Sequence, residues 1–355
     1  MNQAARVISV ATLAAPPRVR VPVWLIVIVL AVLAFPFLVK GYFIFQATMI
    51  LSYAVALLGL NLLTGYNGQI SLGHGAFYAI GAYTTAILMD RFGVPYWMTI
   101  PAAGIVCMLS GYLFGLPALK LEGLYLALAT FALGVALPQL LKYKHFEAWT
   151  GGVGGIVLMK PDAPFGLPLT PDQWLYMVSL GVTVVMFWFA RNLLESGVGR
   201  AITAIRDNPL SAETMGVDNR HYKATVFGLS AMYTGIGGSL AAIAVQFVAP
   251  DSFGMFLSIS LLVGIVVGGL GTISGAFYGA AFILLVPNLA ENVSKAAPWT
   301  VYGIVLILFV FVMPGGVVGL IRKLKHRFSA KAALRDPSDR PHRIHAAKTQ
   351  RKQEN

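Results

Sequence analysis

Charge is what this chain has least of. Only 11% of its 355 residues are Asp, Glu, Lys or Arg, against about 25% in soluble globular domains. So thin a charge cover cannot coat a water-facing surface, and a mean hydropathy of +0.74 excludes an ordinary soluble fold. Cysteine is nearly absent. The lone Cys107 sits in an apolar run, rules out an internal disulfide and reads as a packing residue. The signatures of enzyme chemistry are missing too. There is no G-x-x-x-x-G-K-[ST] loop to cradle ATP, no H-E-x-x-H, no Cys/His cluster, no paired carboxylates and no nucleophile elbow. The chain therefore does not read as an enzyme, and no cofactor or metal is expected. Its 14 acidic residues gather at loops and span ends, as Glu122 and Glu291 do. An ion-coupled secondary transporter places such groups deep within its spans.

What the chain has in quantity is apolar length, with 57% hydrophobic residues. A bilayer-spanning helix needs about 20 such residues. Ten runs qualify, near 23–39, 42–63, 70–89, 96–116, 122–141, 173–190, 223–246, 255–271, 273–291 and 300–320. The pair at 255–291 reads either as two spans or as one span plus a re-entrant segment. The net charge is +12. With a cytoplasmic N-terminus, threading the ten spans leaves only Lys40, Arg91, Lys142, Lys144, Lys160 and Lys295 outside, out of 26 Lys and Arg. The positive-inside rule favours that orientation, and it explains the basic balance without nucleic acid. The first span follows a basic N-region but shows no small-residue cleavage site before Lys40, so it reads as uncleaved. The expected fold is an all-α polytopic membrane protein of about ten transmembrane helices, some Gly-broken or re-entrant, with both termini cytoplasmic. Residues 1–22 read as an N-terminal arm and 23–321 as the membrane domain. Residues 322–355 read as a basic tail, disordered or lying on the anionic inner leaflet.

The most informative stretch is 65–86, GYNGQISLGHGAFYAIGAYTTA. It lies at a span entrance, yet Gly65, Gly68, Gly73, Gly75 and Gly81, with Gly59 just before, weaken any helix. Asn67, Gln69, Ser71 and His74 sit among them. Irregular backbone survives at membrane depth only inside protein or beside a water-filled cavity. Such a break points to a transport path, against close packing through small residues as the plainer reading. An amino-acid zwitterion needs donors for its carboxylate and acceptors for its ammonium, which broken helix ends and these side chains supply. Asn67, Gln69, Ser71, Gly73, His74 and Gly75 are the candidate path residues. His74 has no ligand-spaced partner, so a metal role is not expected. Part of the stretch echoes later, since Gly75-Ala76-Phe77-Tyr78 recurs as Gly275-Ala276-Phe277-Tyr278.

Two loops stand out. The outer one, 142–172, holds TGGVGGI from Thr150 to Ile156 and then four prolines. Thr150, Gly151, Gly152, Gly154 and Gly155 are expected either to shape an outer mouth or to form a flexible hairpin. The inner loop, 191–222, contains Arg206-Asp207-Asn208-Pro209 followed by LSAETMG. Asn is a good N-cap, Pro suits the first helical position and Gly216 fits a helix end. That spacing predicts a two-turn amphipathic helix over about 209–215, carrying Glu213. So short a helix is unstable alone in water, and it requires a partner surface.

GYNGQISLGHGAFYAIGAY, TGGVGGI and GRAITAIRDNPLSAETMGV together resemble the permease subunits of branched-chain amino-acid ABC importers, the LivM type. The resemblance runs over about residues 25–320. It implies a bacterial inner (plasma) membrane protein that works with a second permease of the LivH type. It also implies two cytoplasmic ABC ATPases and a periplasmic substrate-binding protein. Under that resemblance 142–172 is periplasmic and 191–222 is the cytoplasmic coupling loop. Its helix docks in an ATPase through Arg206, Asp207, Asn208, Pro209, Glu213 and Gly216. The substrate is expected to be a branched-chain or related amino acid. Urea, short amides and aromatic acids remain alternatives within the family, and an ion-coupled transporter remains the alternative outside it.

Overall fold

The computed structural model describes residues 23–118, 121, 123–293, 295 and 298–333. The chain is built from helices with one small ribbon. The first half holds α1 (Val23–Leu38), α2 (Gly41–Asn61), α3 (His74–Phe92), α4 (Tyr96–Ala118), α5 (Leu124–Leu141) and a single turn, α6 (Glu147–Thr150). Then come α7 (Pro171–Glu195), α8 (Gly197–Asp207), α9 (Pro209–Thr214), α10 (Asn219–Val245), α11 (Met255–Gly268), α12 (Ile273–Val293), α13 (Pro298–Val312) and α14 (Gly316–Ala333). The only described strands, β1 (Ile156–Val157) and β2 (Phe247–Val248), pair antiparallel.

Seven helices among the described residues are long and apolar enough to cross a bilayer, fewer than the ten spans expected. The other three expected spans are helical but fall short. Helices α1 and α13 have 16 and 15 residues, and α3 is diluted by His74, Thr84, Thr85, Asp90 and Arg91. Three boundaries also differ. Helix α3 begins at His74 rather than near residue 70, because Gly68 adopts φ +73° and the chain stays irregular through Gly73. The run expected at 300–320 is broken at Met313-Pro314-Gly315, where Pro cannot continue a helix and Gly316 takes φ +70°. The basic tail from residue 322, expected to be disordered or to lie on the inner leaflet, is helical as far as Ala333. The arm at 1–22, Lys120, Glu122 and residues 334–355 lie outside the described residues.

Helix α10 is the hub, and nearly all of its apolar length is buried. It packs on α2, α3 and α4. In an apolar surround, helices associate through close packing and interhelical hydrogen bonds rather than through a hydrophobic drive. Both are present here. A Cβ on Gly81 would strike the Gly235 carbonyl, and one on Gly235 would strike Cys107. Ser230 Oγ donates to the Gly59 carbonyl at 2.7 Å, Thr85 and Ser239 share a 2.6 Å bond, and Tyr233 donates to the Met186 carbonyl at 3.0 Å. The pair at 255–291 forms an antiparallel hairpin, with Gly268 against Gly275 and Gly264 against Gly279.

Contacts sort the loops into two ends. At one end Arg206 meets Gly65, Gly271 lies beside Gly65, and Gly316 lies against Gly269. At the other end Phe92 stacks on Trp149, Lys142 pairs with Asp251, and Lys160 pairs with Asp172 at 2.6 Å. Loops expected inside thus share one end, and loops expected outside share the other.

The glycine contacts make a test. Gly235→Val drives a branched side chain into Cys107 on α4, and overpacking of this kind costs about 1–3 kcal/mol. Gly181→Ala faces open space and is neutral. Thermal unfolding in detergent checks both; equal midpoints for the two variants would contradict the packing account.

Candidate functional site

The break between α2 and α3 starts with a π-helical turn, Leu62–Tyr66. Single π turns inside α-helices are frequent at functional sites. This one leaves carbonyls and amides that the ordinary ladder would have used; Arg206 reaches one of them from α8, while Asn61, just before the turn, binds the chain between α11 and α12. Asn61 Nδ2 donates to the Thr272 carbonyl at 2.7 Å, and its Oδ1 accepts from Gly271 N at 2.9 Å. Arg206 Nη1 donates to the Gly65 carbonyl at 3.1 Å. Gln69 N returns to the Leu63 carbonyl, and the Gln69 carbonyl accepts from Thr64.

The start of α3 is capped by three other helices. Thr130 of α5 accepts from Leu72 N at 3.0 Å, and Ser258 of α11 accepts from Gly75 N at 3.0 Å. His74, 1% exposed, lies between Ser71 and Ser230. Ser230 already donates to Gly59, so its oxygen must accept from His74 Nε2 at 2.6 Å. Nδ1 is then the acceptor, and Ser71 donates to it at 2.8 Å. The neighbours therefore hold His74 as the Nε2–H tautomer, ringed by Phe77 and Phe227. Ser230 lies eleven residues into the 27-residue α10, near its midpoint, so α3 starts deep in the bundle. Residues 67–73 enter from the inner end to reach that depth.

The six candidate path residues thus divide. Ser71, Gly73, His74 and Gly75 are enclosed in this polar knot, and a Cβ on Gly73 would strike the Thr130 carbonyl. Asn67 and Gln69 instead line a pocket of about 170 Å³ at the inner end. Sequence reasoning missed Thr130, Ser230, Ser258 and Asn61. Each is a small polar residue within an apolar helix, and that was the available signal.

The outer glycines build an ordered clip. Thr150 Oγ1 donates to the Leu141 and Phe146 carbonyls and accepts from Gly152 N at 3.2 Å. Gly151, Gly152 and Gly155 all have positive φ. They turn the chain so that Ile156 pairs with Val248 and Leu158 N reaches the Gln246 carbonyl at 2.8 Å. Gly154 projects toward open space.

The inner loop is an elbow of two helices. Ile202 and Ile205 bury one face of α8. Asn208 then caps α9, its side chain accepting from Ser211 N at 3.0 Å, with Pro209 at the first helical position. Gly216 follows at φ +85°. Asn219 Nδ2 ties back to the Pro209 carbonyl at 2.7 Å. Asp218 caps α10, and the backbone and side chain of His221 together hold its carboxyl below the usual range. Asp207 pairs with Arg206 at 2.9 Å. Glu213 is exposed, and beside it Leu210 and Met215 are 74% and 86% exposed, an apolar tip with nothing of this chain over it among the described residues.

Ser230→Ala removes both the acceptor for His74 and the donor to Gly59. A buried polar group left unpaired costs about 1–3 kcal/mol, so the unfolding midpoint in detergent falls. Ser110→Ala loses only a bond within its own helix, to the Cys107 carbonyl, and moves it little. An unchanged midpoint for Ser230→Ala would contradict the knot.

Comparison with known proteins places this geometry. The family model for the permease component of branched-chain amino acid transport systems matches residues 42–313. The high-affinity branched-chain amino acid transport system permease protein LivM of Escherichia coli K12 is 30% identical over 334 residues. The match covers 87% of this chain and 78% of that protein. LivM of Salmonella typhimurium is 29% identical, over 86% of this chain and 76% of its own length. The paralogous LivH of Escherichia coli K12 is 24% identical, over 76% of this chain and 91% of its own. The chain is a LivM-type member of the branched-chain amino acid permease family.

Proposed function

We propose that this protein is the transmembrane permease subunit of an ATP-driven importer for branched-chain or related amino acids, working in the bacterial inner membrane. The observation that carries the proposal is the capped elbow with its uncovered apolar tip. Leu210 within a helix of only six residues, and Met215 just after it, project beside Glu213. Such a helix needs a partner surface, and a groove on a cytoplasmic ABC ATPase supplies one. Arg206, Asp207, Asn208, Pro209, Glu213 and Gly216 form the docking element, since they set the cap, the turn and the charge. This chain carries no phosphate-binding loop, so hydrolysis belongs to partner subunits.

In this reading a LivH-type permease completes the translocation path and a periplasmic binding protein delivers the substrate to the outer clip at 150–155. Residues 67–75 border the path at the point where α3 begins. Arg206 links the two regions, because it sits in the docking element and holds the Gly65 carbonyl at the break. A shift of the elbow therefore pulls directly on the entrance of α3.

Two measurements test the proposal. Gentle detergent extraction from the native membrane should recover two P-loop ATPases and a second hydrophobic permease with this chain. Recovery of the chain alone, with intact cross-linking controls, would sink the importer. Leu210→Asp combined with Glu213→Arg should leave membrane insertion intact and abolish ATPase recovery. Undiminished recovery would remove the elbow from the docking role.

A further inference from the structure

Among its described residues, the 170 Å³ pocket at the inner end has more donors than acceptors. Its walls are residues 67–70, the start of α5, the α8–α9 elbow and Lys223 of α10. Asn67 lines it at 3% exposure, and neither its Nδ2 nor its Oδ1 finds a partner among the described residues. The buried Nε2 of Gln69 is also unpartnered among them. Lys223 adds a cation with no ion pair among the described residues. Arg206 contributes positive charge, although Asp207 and the Gly65 carbonyl occupy its Nε, Nη1 and Nη2. No described acidic side chain lines the pocket. Glu213 and Asp218 share an adjoining crevice with Lys223, and there Asn219 and His221 engage them.

Buried polar atoms in folded proteins are nearly always satisfied, by water or a ligand if not by protein. Among the described residues, both polar atoms of Asn67, the Nε2 of Gln69 and the Lys223 ammonium stand unpartnered around one cavity, and they define its complement. We propose that this pocket binds a small oxyanion that also carries a hydrogen-bond donor, entering from the inner face. The oxyanion meets Lys223 Nζ and Gln69 Nε2, and the donor meets Asn67 Oδ1. An α-amino acid brings that pair as carboxylate and ammonium; hydrogen phosphate brings it as oxygens and hydroxyl. The apolar walls Ile70, Leu126 and Ile205 suit an aliphatic side chain. A cavity of about 150 Å³ holds a benzene-sized molecule, so the volume is adequate for either. Binding rests on the pocket alone. Only its consequence rests on the importer reading: a bound ligand would join the docking elbow to the entrance of α3.

The test is equilibrium dialysis of the full-length protein, purified in detergent with its associated subunits. The probes are radiolabelled L-leucine and, separately, inorganic phosphate, with isoamylamine as leucine lacking its carboxylate. Saturable binding of leucine or of phosphate is expected, and which of them binds assigns the source. Lys223→Met should weaken it about tenfold or more, and Arg220→Met, on the same helix outside the pocket, should not. Lys223→Gln is read in the same way if Lys223→Met does not fold. The proposal is overturned if neither probe binds, if isoamylamine binds as tightly as leucine, or if the Lys223 variants match wild type. A complex that retains its ATPases yet binds neither probe ends this inference and leaves the importer standing. A chain that binds a probe but has no ATPase does the reverse.

Discussion

Backbone amides in an apolar interior must find partners, and this structure depends on how it meets that demand at one break. Between α2 and α3 the chain abandons the helical ladder for residues 62–73. Thr130 meets Leu72 N, Ser258 meets Gly75 N and Arg206 meets the Gly65 carbonyl, while Ser230 holds the His74 ring and Asn61 ties the break to the turn between α11 and α12; the five come from five separate helices. Ser258 and Thr130 cap amides at the start of α3. Ser230 fixes the tautomer of His74, which in turn orders Ser71. Each bond crosses between elements, so the break also binds the bundle together. The glycines serve the same end from the other side. They let α2, α3 and α4 approach α10 closely enough for these short side chains to reach.

The break also faces the inner loop. Arg206 is the last basic residue of α8, and one nitrogen of its guanidinium reaches the π turn while two others hold Asp207. Asp207 immediately precedes the Asn208 cap. A rigid displacement of α9 therefore has a short covalent and hydrogen-bonded route to Gly65. In the proposed importer, this is the route by which a docked partner would bias the break. The outer clip is pinned at both ends. Its three positive-φ glycines and the β1–β2 pairing anchor the 142–172 loop to the segment that follows α10.

Features governed by neighbours in sequence were legible beforehand. The Asn208-Pro209 cap and the Gly216 stop are local chemistry, and α9 appears where that chemistry placed it. The irregular entrance at 65–73 was legible from its glycines. Its partners were not, because Ser230 lies 156 residues from His74 and Ser258 lies 183 from Gly75. Hydropathy misjudged the end of the chain. It joined 300–320 into one span, although Pro314 and Gly315 already marked the break between α13 and α14. The glycine-rich TGGVGGI read equally as a mouth or a flexible hairpin, since only the distant strand at 247–248 shows that it is pinned. The division of the path residues was likewise invisible. Asn67 and His74 are both polar residues of one glycine-rich stretch, yet among the described residues His74 is satisfied on both nitrogens and Asn67 on neither polar atom.

The central claim is that Arg206 carries motion from the docking elbow to the break. The direct measurement is uptake per ATP hydrolysed, for the complete importer in proteoliposomes, comparing wild type with Arg206→Ala. The account predicts that the variant still assembles with its ATPases and still hydrolyses ATP, while uptake per ATP collapses. Uptake per ATP equal to wild type would show that the elbow and the break are coupled by another route, and that the Arg206–Gly65 bond is structural only.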